Sequence, residues 1–110
     1  LTTVYILVLD YLFMHTSAIS NHAGEIRDFI IANFLFGEAG SLQNNTSFIG
    51  DGIIDSTGIL ELVMFLENTY GIKVQPEEML PENFDSVNRL AVFLTLKSSK
   101  VAAAERGFRV

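Results

Sequence analysis

The chain has 110 residues, 49% of them apolar and nine of them Phe, and a formal net charge of −6. That length and composition suit one small domain with its own core and exclude disorder over most of the chain. There is no Cys, so no disulfide framework, thiolate metal site or protein thiol nucleophile is available, and a reactive thiol would have to come from a cofactor.

The charge is uneven. Residues 48–85 carry eight acids against Lys73, a local net of −7, whereas residues 86–110 carry five bases against Glu105. An acidic middle repels nucleic acid and favours partners with basic docking surfaces. The plainer reading is a solvated acidic surface.

Residues 4–14 form an apolar run broken by Asp10. It is shorter than the roughly 20 residues of a spanning helix and lacks the basic start of a signal peptide, so membrane insertion is a minor reading. Met14 precedes a polar stretch, and Leu1 to Phe13 is expected to be an upstream extension. Residues 1–23 are therefore assigned as an N-terminal extension that is either unstructured or not native, 24–97 as the domain, and 98–110 as a loose basic tail.

From Glu25 to Phe36 the apolar residues Ile26, Phe29, Ile30 and Phe34 recur at helical steps and predict the first helix. Gly37 and a polar stretch end it and open a connection that runs to Asp55. So long a loop must pack or function, and Phe48, Ile49, Ile53 and Ile54 are the expected anchors. The second helix follows from Ser56 to Tyr70. Its stripe Ile59, Leu62, Val63, Leu66 and Tyr70 is expected to face the core. Thr57, Leu60, Glu61, Met64 and Glu67 lie on another face, which reads either as a docking surface or as cover for core under the long loop; periodicity alone does not choose between them. Ile72-Lys73-Val74 reads as an extended link and Pro76 to Leu80 as a brief helical turn stopped by Pro81. Asp85-Ser86 supplies a cap for a last helix with Val87, Leu90, Ala91 and Leu94 on one face. The expected fold is all-α: three main helices and one short one, with a long loop between the first and second.

Self-contained catalysis is not expected. A serine nucleophile needs a base within reach, and the only histidines, His15 and His22, fall in the polar lead-in and read as solvated residues. Asp51 and Asp55 lack a third group that would complete an acid/base or metal site, and no nucleotide-binding or zinc pattern occurs. Two Asn-X-Ser/Thr tripeptides at Asn44 and Asn45 are frequent chance matches.

Asp55-Ser56 followed by Glu61-Leu62-Val63-Met64 and Leu66-Glu67 resembles the Asp-Ser-Leu motif and second helix of acyl carrier proteins. The likeness extends from about Glu25 to about Leu96 and takes in Gly52-Ile53-Ile54, Tyr70 to Val74, and Asn83 to Val87. It implies an acyl-carrier-like bundle and a cytoplasmic, monomeric carrier protein that is not itself an enzyme and works in fatty-acid or secondary-metabolite biosynthesis. Ser56 would receive 4′-phosphopantetheine from coenzyme A through a phosphopantetheinyl transferase and carry acyl groups as thioesters. Asp55 would assist attachment, and Thr57, Leu60, Glu61, Met64 and Glu67 would meet the transferase, a loading ligase and downstream synthases or transferases. No catalytic residue, resident metal, nucleic acid or membrane partner is expected. Thr57 stands where most members have Leu, and Gly58 loosens the first helical turn by roughly 1 kcal/mol relative to Ala. The run Gly-Ile-Ile-Asp-Ser-Thr-Gly is closer to specialised stand-alone carriers, which makes an aminoacyl carrier loaded by a discrete adenylating ligase the alternative. A helical adaptor using the Leu60/Met64 face without a prosthetic group is the alternative of another class.

Overall fold

The computed structural model describes the backbone of residues 2–105 and the side chains of Leu9 and of residues 16–99. These residues are helical with no strand: α1 (Thr2–Phe34), α2 (Ser56–Tyr70), a 3-10 turn (Pro76–Glu78), one-turn α3 (Pro81–Phe84) and α4 (Val87–Glu105). The expected all-α bundle with its long first loop is thus observed.

Three boundaries differ from expectation. The first helix starts at Thr2, not Glu25, so the segment assigned as an extension continues α1. The polar residues 15–21 that suggested a break contain neither Gly nor Pro, and polarity without a breaker does not stop a helix. At 33 residues α1 is about 50 Å long, the 49 Å length of the molecule. At the other end, α4 runs through the Ala-rich segment to Glu105 instead of ending near Lys97. Pro81 opens α3 rather than only closing the turn before it, because a first-turn proline gives up an N–H that has no helical partner. Among the described residues no helix is long and apolar enough to cross a membrane.

The core lies where the predicted stripes meet. Ile26 and Ile30 of α1, Leu62 and Leu66 of α2, and Val87, Leu90, Ala91 and Leu94 of α4 are fully buried, each large side chain worth about 1.5–3 kcal/mol. Ile59 and Tyr70 are only half-buried. A row of aromatic rings bridges α1 and α2. Phe34 meets Phe29 edge-on at 6.1 Å, Phe29 stacks on Phe65 at 4.0 Å, Phe65 meets Tyr70 at 5.9 Å, and Tyr70 meets His22 at 5.3 Å.

His22 is therefore not a solvated lead-in residue. Buried Thr95 donates its hydroxyl proton to the Ala91 carbonyl at 2.7 Å, so it accepts from His22 Nδ1 at 2.8 Å, which fixes the proton on that nitrogen. Burial lowers the His22 pKa from its ordinary value, and the Glu25 carboxylate partly opposes this. The side chain of His15 lies outside the described residues.

Candidate functional site

Ser56 is the first residue of α2 and is exposed, and its hydroxyl has no hydrogen-bond partner among the described residues. Asp55 caps the helix: its backbone is extended, and its Oδ1 accepts from the Gly58 N–H at 2.8 Å. Capping satisfies one of the four orphan donors of the first turn. The other end of α2 closes on Gly71, left-handed at φ 67, whose N–H donates to the Glu67 carbonyl at 3.0 Å.

The long connection reaches Ser56 as a built structure. Phe48 and Ile54 are buried, as expected of anchors, and Ile53 is half-buried, but Ile49 is exposed. Leu42, which is not among the expected anchors, is buried as well. The Ile49 side chain is freed because its backbone is held from the other side. Its N–H donates to Asp85 Oδ1 at 3.0 Å, while Asp85 Oδ2 accepts from the Ser47 hydroxyl at 2.6 Å and the Asp85 carbonyl accepts from the Phe48 N–H at 3.1 Å. Asp85 thus pins the loop, and Ser86 caps α4 by accepting from the Arg89 N–H at 3.1 Å.

Gly58 has a role the sequence did not disclose. It is buried, and a Cβ there would fall 2.7 Å from Ile54 Cγ2 and 2.9 Å from Phe34 Cε1. The last turn of α1 therefore packs directly on the first turn of α2, beside Ser56. Two residues later Phe36 stands in the left-handed region at φ 54 with its side chain 95% exposed. The turn closes through Gly37, itself left-handed at φ 86, whose N–H donates to the Ile31 carbonyl six residues back at 2.9 Å. A side chain on a left-handed backbone costs about 1–2 kcal/mol.

On the outer face of α2, Leu60 and Met64 are 56% and 60% exposed, so they do not cover core under the loop. Thr57 and Glu61 are exposed beside them. Glu67 differs: it is half-buried and its Oε2 accepts from the Val74 N–H at 3.0 Å, tying the extended link to α2. That bond gives one oxygen of the Glu67 carboxylate a structural task.

Two clefts of about 460 Å³ each flank the bundle. One, between α3 and α4, has Phe93, Val92 and Leu96 as its apolar wall beside the Lys97–Glu78 ion pair at 2.6 Å; it is built from elements other than those that carry Ser56. The other lies between the two ends of the long connection, lined by Leu35, Leu42 and Ile53 with Glu38 and Asp51.

No protein-family model matches the chain.

Proposed function

We propose that this protein is a carrier: 4′-phosphopantetheine joined to Ser56 Oγ presents acyl groups, as thioesters, to separate enzymes. The observation that carries the reading is the exposed, unpartnered Ser56 hydroxyl at the first residue of a helix whose cap is made by the preceding Asp55. A phosphodiester on that oxygen lies at the positive end of the α2 macrodipole, where an anion is favoured by about 0.3–1 kcal/mol. The arm supplies a thiol, which a chain without Cys cannot supply itself. The residues fit the group: Ser56 is accessible to a transferase, and one Asp55 oxygen holds the helix start while the other is outside that bond.

The exposed Thr57, Leu60, Glu61 and Met64 supply the partner-facing surface. Single exposed ion pairs there are worth about 0.2–1 kcal/mol but accelerate encounter with a basic partner. Amino acids loaded by an adenylating ligase are the alternative cargo. An adaptor without any prosthetic group is the second reading, favoured by the exposure of Leu60 and Met64.

The test is the intact mass of the parent and of Ser56→Ala after incubation with coenzyme A, magnesium and a broad-specificity phosphopantetheinyl transferase. A phosphopantetheine-sized gain in the parent alone is expected. No gain in a folded parent sample refutes the carrier and leaves the adaptor.

A further inference from the structure

Phe36 combines two unfavourable features that folding does not require. Its backbone is left-handed at φ 54, a conformation that β-carbon sterics disfavour, and its ring is 95% exposed, so no burial offsets the strain. Glycine would satisfy the same turn at no steric cost, and glycine does follow it at position 37. Single exposed apolar residues are ordinary on protein surfaces; a bulky, almost fully exposed side chain on a left-handed backbone is not.

Its position is set by Phe34, whose Cε1 lies 2.9 Å from where a Gly58 Cβ would be. The Phe36 Cα is at most about 7 Å along the chain from that of Phe34, so the ring belongs to the end of the molecule that holds Ser56. Glu38 and Asp51 line one cleft with Leu35, the residue before Phe36, and Asp55 and Glu61 are exposed before and on α2. Residues 48–85 hold a single base, Lys73.

We infer that Phe36 is an anchor for the enzyme that modifies Ser56: its ring enters an apolar pocket on that enzyme, whose rim carries Lys or Arg to meet Glu38, Asp51 and Glu61. The inference rests on the carrier reading. An exposed aromatic ring with acids close by in the fold suits an interface anchor, with the ring giving residence and the charges giving encounter rate. Holding the ring outward by backbone geometry limits the ordering left to be done on binding.

Phe36→Gly separates this from a merely tolerated Phe, because stability and recognition should move in opposite directions. Urea unfolding and the steady-state kinetics of Ser56 modification by a phosphopantetheinyl transferase, with the carrier as varied substrate, are measured on the full chain. Expected are a higher unfolding midpoint and a KM raised at least tenfold with kcat within twofold, and a smaller KM increase for Phe36→Leu. An unchanged KM in Phe36→Gly, with the parent modified normally, overturns the anchor and leaves the carrier reading intact. A folded parent that is not modified at all refutes both.

Discussion

Ser47 gives its hydroxyl proton to the Asp85 carboxylate at 2.6 Å across 38 residues of sequence. The same carboxylate takes the Ile49 N–H, so one side chain at the α3–α4 junction determines the path of the loop that ends at Ser56. Asp85→Ala removes both acceptors. Bonds to a charged group contribute about 1.5–3 kcal/mol, and a loss of about 2 kcal/mol in urea unfolding is expected. Amide exchange at Ile49 should accelerate in the variant beyond what the global loss explains.

Gly58 and Gly24 make opposite predictions from the same substitution. Gly58→Ala would drive a Cβ into Ile54 and Phe34, so overpacking of about 1–3 kcal/mol should exceed the helix-propensity gain of about 1 kcal/mol. Gly24 lies within α1 with nothing within 4 Å of its would-be Cβ. Gly24→Ala should stabilise by about 0.5–1 kcal/mol. Thermal and urea unfolding of the pair checks both; a stabilised Gly58→Ala would refute the close packing of α1 on α2.

The buried Tyr70 hydroxyl has no hydrogen-bond partner among the described residues. Burial, with the nearby Glu25 carboxylate adding to it, pushes its pKa from 10.0 up to about 12. The folded state then holds the phenolic proton more tightly than the unfolded chain, so stability is lost as pH rises from 10 towards 12. Tyr70→Phe removes a buried hydroxyl whose one polar neighbour is the Glu25 carboxylate, outside ordinary hydrogen-bond geometry, and should change stability at pH 7 by no more than about 1 kcal/mol. It should also abolish this alkaline slope in pH-dependent urea unfolding.

His22 titrates in the reverse sense. Its folded pKa is depressed below 6.5, with burial the principal cause. The unfolded state binds the proton first, so stability falls as pH drops through 6.5 toward the lower folded value and is fully present above it. His22→Gln, which keeps an amide donor for Thr95, should flatten stability between neutral pH and the onset of carboxylate titration. An unchanged acid slope in that variant would place the effect elsewhere.

By itself the sequence determined the helical class, most of each core stripe and the cap that starts α2. Ile26, Leu62, Leu66, Leu90 and Leu94 recur at steps set by the 3.6-residue turn, and Asp55 before Ser56 is a cap by its chemistry. These properties are local, because periodicity and capping depend on residues a few positions apart. Where α1 begins was not legible, since polar residues between Met14 and Glu25 leave a helix as permissible as a coil. Only the tertiary structure decided that Asp85 serves the long loop and not the α4 cap, that Glu67 is committed to Val74, that His22 belongs to Thr95, and that Leu60 and Met64 face outward. It also decided that Gly58 is required by Phe34 and that Phe36 stands left-handed and exposed just beyond the end of α1. Each of these depends on which segments are brought into contact, a relation carried by the packing of whole helices and not by spacing along the chain.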